Sequence, residues 1–261
     1  MCSVVILRRP GHPWPLVLAG NRDEMVGRPW KPPARHWPER PEVLGGLDVL
    51  AGGTWLGLND TGVVAVVLNR ENTLGPQAGK RSRGELVLEA LDHADAADAA
   101  QALAHLNPDA YRPFNLVVAD NRDAFFITHR GESPRGRIRV EPIPVGLSMV
   151  TAHDLNDEAG SPRQRFYRPL FANAAAPDPD KGDWKAWEEL LASRIWTPAE
   201  VGPRGAMCVV TDIGFETSSS TLVALPAMDR PEVPPVFRFA AGRPDKVAYR
   251  DVDLDAGMQE A

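Results

Sequence analysis

A cysteine at the second position and the polar tetrapeptide Asn21-Arg22-Asp23-Glu24 carry the clearest chemical signal in the chain. Loss of Met1 would leave Cys2 with a thiol and a free α-amine on one residue. The reference pKa is about 8 for the amine and about 8.5 for the thiol. A proton can therefore pass between nucleophile and base within a single residue. The position indicates an N-terminal cysteine nucleophile, although it also fits a small buried residue that begins a strand.

A short hairpin is predicted to bring Cys2 and the tetrapeptide together. Ser3–Arg8 is apolar and β-branched, Pro10-Gly11-His12-Pro13 is a turn signal, and Leu16–Ala19 resumes the apolar pattern. The first residue of one antiparallel strand lies beside the last residues of its partner. We therefore expect Cys2 to begin the first strand and the tetrapeptide to end the second, with the two ends side by side.

Strand alternation divides the tetrapeptide into two faces, with Asn21 and Asp23 on one and Arg22 and Glu24 on the other. We expect Asp23 to hold the α-ammonium group, with Asn21 beside it on the Cys2 side. Arg22 has two open interpretations: it lowers the pKa of the thiol, or it forms a structural pair with Glu24 on the opposite face.

Asn69 follows the apolar strand 63–68, where two roles are open. Its amide could stabilise an oxyanion, a contribution of about 3 kcal/mol per donor, or it could simply begin a loop. The polar stretch 148–157 is expected to line a pocket and supplies Thr151 and His153 as candidate substrate contacts. A structural role for His153 is the alternative.

Other candidate substrate contacts are Glu24, Thr54 and Trp55. Three tryptophans, Trp30, Trp37 and Trp55, would line an apolar pocket or simply pack. Cys208 lies in an apolar segment and is expected to be inert packing.

The overall composition excludes several classes of protein. A net charge of −6 provides no positive field for nucleic acid. Two cysteines do not form a disulfide framework, which is typical of a reducing compartment. We find no signal peptide and no apolar run of the roughly 20 residues that a membrane span needs. The six histidines lack metal-ligand spacing. We therefore expect a cytoplasmic protein with no metal and no resident cofactor.

The order of elements is strands, helices, more strands and one helix, which favours antiparallel sheets with helices outside them. Helices are predicted over 82–91, where Ser82 and Glu85 have capping-box spacing, over 94–106 and over 184–193. A hairpin is predicted at residues 59–62, and a late hairpin from strands 206–211 and 217–225. No repeat or linker divides the sequence, so a single domain over 1–261 is expected.

Together, the N-terminal Met-Cys, the tetrapeptide 21–24, the block 52–57 (Gly-Gly-Thr-Trp-Leu-Gly) and the strand ending at Asn69-Arg70 resemble the NRDE family. This family is also called the Transport and Golgi organisation protein 2 family. The resemblance implies an α+β fold, a four-layer αββα sandwich of two antiparallel sheets related to the N-terminal-nucleophile hydrolases.

The same resemblance extends to the choloylglycine and penicillin V acylases, cysteine amidases that act on non-peptide carbon–nitrogen bonds. It implies matching roles for Cys2, Asp23, the Asn59–Gly62 hairpin and Asn69. The sequence departs from the acylases at Gly20, where they carry an arginine, and at a later catalytic asparagine, where Met149 or Thr151 stands. The expected function is amide hydrolysis of a small-molecule substrate. The alternative is a carrier for a hydrophobic ligand, haem or an acyl lipid.

Overall fold

The computed structural model describes residues 2–131 and 137–256, which divide into two compact units. One unit contains the chain up to Arg28 together with Pro144–Asp251, and the other contains Pro29–Ile143 and the segment from Val252. The strands in chain order are β1 (Ser3–Arg8), β2 (Leu16–Met25), β3 (Trp30–Ala34), β4 (Val43–Asp48), β5 (Leu56–Asn59), β6 (Val64–Asn69), β7 (Phe114–Ala119), β8 (Ala124–His129), β9 (Ile138–Pro142), β10 (Gly146–Val150), β11 (Phe215–Leu225), β12 (Val236–Ala240) and β13 (Arg250–Asp251). The helices are α1 (Gly84–Leu91), α2 (Ala96–Leu103), α3 (Pro162–Asn173) and α4 (Lys185–Leu191).

The first unit is built on a six-stranded antiparallel sheet of order β10-β1-β2-β11-β12-β13. Helices α3 and α4 cover one face. Their aromatic side chains pack on alternate residues of the strands, Val5, Val17 and Ala19 among them. Because β2 lies between β1 and β11, its side chains are buried along most of its length.

The second unit contains a seven-stranded antiparallel sheet of order β3-β4-β5-β6-β7-β8-β9. Helices α1 and α2 pack against alternate strand residues such as Ala65, Leu116 and Ile127. The predicted hairpin between β5 and β6 is confirmed. Asn59 stabilises it, because its amide donates to the Leu91 and His93 carbonyls and its oxygen accepts from the Val63 backbone.

Strand β2 runs to Met25, so the tetrapeptide forms the end of a central strand, as predicted, and β11 supplies hydrogen bonds along that length. Two sequence expectations were wrong in their bounds. Residues 206–211 form no regular strand, only an isolated bridge between Val210 and Glu216. Predicted helices begin or end one to three residues away from α1, α2 and α4.

Helix α3 was absent from the predictions because Pro169 lies inside it and its apolar pattern is weak. A start signal was nevertheless present: Ser161 accepts a hydrogen bond from the Gln164 backbone, and proline occupies the first helical turn.

Candidate functional site

Cys2 lies immediately before β1 and is half-buried, with its Sγ 3.9 Å from the backbone oxygen of Asp23. Strand β1 pairs with β2 so that Ser3 is opposite Asn21. The predicted proximity of Cys2 and the tetrapeptide is therefore confirmed, and it follows from the short hairpin between the two strands.

The register also decides which face of the sheet Asn21 occupies. Ser3 and Asn21 are directly paired, and they lie on the same face as Val5 and Ala19, which the helices cover. The Asn21 side chain therefore points to the helix-covered face, and its expected place on the Cys2 side stays a prediction.

Asn21 is held by its neighbours on all sides. Its Nδ2 donates to the Leu191 and Met207 carbonyls at 2.9 Å each. Its Oδ1 accepts from the Ser220 hydroxyl, which also lies 2.6 Å from the Tyr249 hydroxyl. Because both ends of the amide are engaged, Asn21 ties β2 to the end of α4.

Asp23 lies on the same helix-covered face, as the alternation predicts, and is 1% exposed. Its Oδ1 accepts from the Thr217 hydroxyl at 2.7 Å. Its Oδ2 forms an ion pair with Arg163 Nη1 at 3.2 Å. A β-bulge between Thr217 and Ser219 keeps Thr217 beside Asp23.

Arg22 is buried and exchanges hydrogen bonds with Ser218: its Nη1 donates to the hydroxyl, and the hydroxyl donates to its carbonyl. Glu24 instead forms an ion pair with Arg28, at 3.8 Å, and accepts from the Met25 backbone. A structural pair between Arg22 and Glu24 does not form among the residues that the structure describes.

The electrostatic surroundings of Cys2 are mixed. Burial raises the pKa of the Cys2 thiol above its ordinary value, and the Asp23 carboxylate raises that pKa further. Arg22 acts in the opposite direction and lowers the pKa. The thiol is therefore protonated at neutral pH and needs a base to become a nucleophile.

Gly20 lies where two strands approach closely. A β-carbon there would come within 3.0 Å of the Ser3 carbonyl oxygen and 3.3 Å of Val4 Cγ2. A side chain at position 20 would therefore require β1 and β2 to shift. Arg22, two residues further along β2, presents its guanidinium on the same face.

Thr151 and His153 follow β10. The buried Thr151 hydroxyl lies 3.1 Å from the Ser161 hydroxyl and accepts from the Gln164 side chain and the His153 backbone. Met149 packs in the core beneath α3 and α4. Thr151 thus anchors the start of α3, and His153 remains half-buried beside it.

In the second unit, Asn69 ends β6 opposite Phe114, on the face that α1 and α2 cover. The Asn69 side chain makes no hydrogen bond to another residue within 2–131 and 137–256. Arg70 extends to Asn115 and Thr128, with Nη1 at 2.6 and 3.1 Å from their side-chain oxygens.

Thr54 and the tryptophans also belong to the second unit. The Thr54 hydroxyl is buried and donates to the Leu56 carbonyl. Trp37 packs in the core and donates to the Gly52 carbonyl, whereas Trp30 and Trp55 form an edge-to-face pair at 5.9 Å. Only this last pair is half-exposed and suited to contact an apolar ligand.

Cys208 is buried, and its thiol donates to Asp245 at 3.4 Å. Burial first, and then Asp245, raise the pKa of Cys208 to about 12. Within the described part of the chain, no three His, Cys, Asp or Glu side chains converge as a metal site, and none of the helices has the length and apolarity to cross a membrane.

Sequence reasoning missed Arg163 and Thr217. These residues are 140 and 194 positions away from Asp23 in sequence. The available signal was indirect: an arginine in the first turn of a helix that Ser161 and Pro162 mark as starting there.

Comparison with known proteins agrees with the family resemblance. The family described as Transport and Golgi organisation 2 matches residues 1–174. The Transport and Golgi organization protein 2 homolog of Homo sapiens is 39% identical over 170 residues, 61% of this chain and 57% of that protein. The Bos taurus homolog is 40% identical over 114 residues, 40% of this chain and 38% of that protein. The aligned region thus spans less than two thirds of either relative.

Two solved structures share the fold at low sequence identity. The Caenorhabditis elegans N-acylethanolamine-hydrolyzing acid amidase ortholog is 13% identical and has a TM-score of 0.54, covering 97% of this chain and 100% of that chain. The R18L variant of the conjugated bile acid hydrolase from Clostridium perfringens is 10% identical with a TM-score of 0.53, covering 100% and 99%. They confirm the expected α+β fold with two antiparallel sheets.

Proposed function

The chain belongs to the Transport and Golgi organisation 2 family, and from that premise we propose that it is an N-terminal-cysteine amidohydrolase. Its substrate would be a small molecule with a non-peptide carbon–nitrogen amide bond. The nucleophile forms once Met1, which lies outside the described residues, is removed. Support for the reaction class comes from the fold, shared with an acid amidase that hydrolyses N-acylethanolamines and with a hydrolase of conjugated bile acids.

The observation that carries the proposal is the position of Cys2. Cys2 immediately precedes β1, a strand next to the centre of a sheet, and is half-buried with its Sγ 3.9 Å from the Asp23 backbone oxygen. Arg22 and Asp23 both act on the thiol charge. A residue that only filled space would not need two buried charges of opposite sign beside it, because burying charged groups is costly.

The reaction would use the two functional groups of Cys2 in turn. The α-amine accepts the thiol proton, and the thiolate attacks the amide carbonyl carbon. The carbon–nitrogen bond then breaks, the leaving amine takes the proton from the ammonium group, and a thioester remains. Water, deprotonated by the α-amine, attacks the thioester and releases the carboxylic acid, which restores the thiol.

Three side chains would assist these steps. The Asp23 carboxylate orients the ammonium group, and Arg22 favours the thiolate by lowering its pKa. The resemblance implies Asn69 as the oxyanion donor. An asparagine amide is a neutral donor of the kind that stabilises an oxyanion.

The test combines intact mass with a screen of amide substrates. We expect the purified protein to lack Met1 and to hydrolyse at least one N-acyl substrate, with activity abolished in Cys2→Ala. Cys208→Ala is the matched control, because it removes the only other thiol and should retain activity. A retained Met1, or equal turnover by Cys2→Ala, would contradict the proposal. Tight binding of an acyl lipid or haem without hydrolysis, unchanged in Cys2→Ala, would instead favour a carrier.

A further inference from the structure

Arg163 is an arginine buried in the protein interior. It lies in the first turn of α3, and its side chain is 5% exposed while that of its partner Asp23 is 0% exposed. A buried guanidinium is costly unless it is paired and hydrogen-bonded. The ion pair with Asp23 Oδ2 meets that need and links α3 to the strand beside Cys2.

Both ends of this pair have further partners. The other arm of Arg163, Nη2, donates to the Arg204 carbonyl. The other oxygen of Asp23 accepts from Thr217, whose hydroxyl also accepts from the Val209 backbone. The carboxylate is therefore fixed from two sides in one orientation.

We propose that Arg163 is a positioning residue of the Cys2 site, which holds the Asp23 carboxylate in place and compensates part of its negative charge. This inference rests on the proposed function, because it gives Asp23 its role toward the α-ammonium group. Nothing in the reaction requires Arg163 to contact the substrate.

The physical reason is the effect of an uncompensated carboxylate. A negative charge beside Cys2 disfavours the thiolate and favours the protonated amine. Both effects lower the fractions of thiolate and of unprotonated amine at neutral pH, and these are the forms that react. A paired Asp23 can orient the ammonium group while exerting a weaker field.

The remaining charged and titratable groups around this pair do not replace Arg163. Arg22 lies on the opposite face of β2 and already bonds Ser218. The Arg204 guanidinium stacks over the Phe215 ring. Tyr167 and Cys208 both have pKa values raised first by burial, so they are neutral at pH 7.

The test is the pH dependence of Cys2 alkylation by iodoacetamide, followed by peptide mass spectrometry. We expect Arg163→Met to raise the apparent pKa of Cys2 by about half to one unit, which slows alkylation at pH 7 roughly threefold to tenfold. Arg163→Lys, which keeps the charge, should remain within about twofold of the wild type. In an Asp23→Asn background, Arg163→Met should cause no further shift, because the charge that it compensates is gone.

A profile of folded Arg163→Met that overlays the wild type would overturn the proposal, as would an equal shift with and without Asp23. If Arg163→Met does not fold, Asp23→Asn is compared with Asp23→Asn/Arg163→Met. Matching pH profiles of Cys2 alkylation support the proposal, and differing profiles overturn it. Alkylation needs no turnover. A protein that retains Met1 or hydrolyses nothing would therefore refute the proposed function and leave the thiol titration as a separate result.

Discussion

Two charged side chains flank the candidate nucleophile and act on its thiol with opposite sign. Asp23 raises the pKa of Cys2, adding to the larger effect of burial, while Arg22 lowers it. The two residues are neighbours on β2 and point to opposite faces of the sheet. Asp23 forms an ion pair with Arg163, and Arg22 donates to Ser218, so the charge balance at Cys2 depends on contacts on both faces of the sheet.

Replacement of Arg22 by methionine should slow alkylation of Cys2 at pH 7 by roughly threefold or more, because loss of the nearby positive charge raises the thiol pKa. Arg28→Met is the matched control, since Arg28 pairs with Glu24 and should leave the rate unchanged. The measurement is the rate of label incorporation at Cys2 against pH. An Arg22→Met profile equal to that of Arg28→Met would show that Arg22 has no influence on the thiol.

At the scale of elements, the start of α1 lies in close contact with the backbone of a loop. The loop before β5 meets the start of α1 at Gly53 and Gly84, where the Thr54 backbone donates to the Gly84 carbonyl at 3.2 Å. A β-carbon on Gly53 would lie 2.6 Å from the Gly84 carbonyl carbon. The Gly52-Gly53-Thr54 block is therefore explained in part by packing.

Gly53→Ala should lower the free energy of unfolding by about 1–3 kcal/mol, because the added methyl group forces the loop and α1 apart. Gly27→Ala serves as control: a β-carbon there meets nothing within 4 Å, so its effect should stay within about 0.5 kcal/mol. Urea unfolding of both variants measures the difference. Equal stabilities would mean that the loop tolerates a side chain at position 53.

At the scale of the whole molecule, buried histidine makes stability depend on pH. His129 is 5% exposed, and its Nδ1 has no hydrogen-bond partner among the described residues. Burial, followed by the charge of Lys80, lowers the pKa of His129 below its ordinary value. The unfolded chain then binds more protons than the folded chain once the pH falls below about 6.5, so stability decreases with falling pH.

The free energy of unfolding should therefore fall between about pH 7 and pH 5, and His129→Asn should make this fall less steep. The exposed His105 provides the control, since His105→Asn should keep the wild-type slope. Urea titrations at a series of pH values measure the slopes. If the free energy of unfolding of His129→Asn changes with pH as steeply as that of the wild type, other groups cause the pH dependence.

The sequence determined local features. The apolar, β-branched run predicted strand β1 with correct bounds, and the short hairpin predicted that Cys2 meets the tetrapeptide, because both features depend on neighbouring residues. Motifs in the first 70 residues also predicted the family, and the order of elements predicted an α+β fold. Helix α3 was missed because its interior proline and weak periodicity conceal it.

Only the tertiary structure decided how Cys2 is surrounded. Pairing with β11 holds the tetrapeptide in a strand, and the Asn21 side chain donates to the Leu191 carbonyl on the helix-covered face. Arg163 and Thr217 reach Asp23 across 140 and 194 residues. Such contacts leave no periodicity in the sequence, because they depend on where α3 and β11 pack and not on the residues next to Asp23. Cys2 was thus identifiable as a candidate from its position, but the charges that tune it emerged only from the fold.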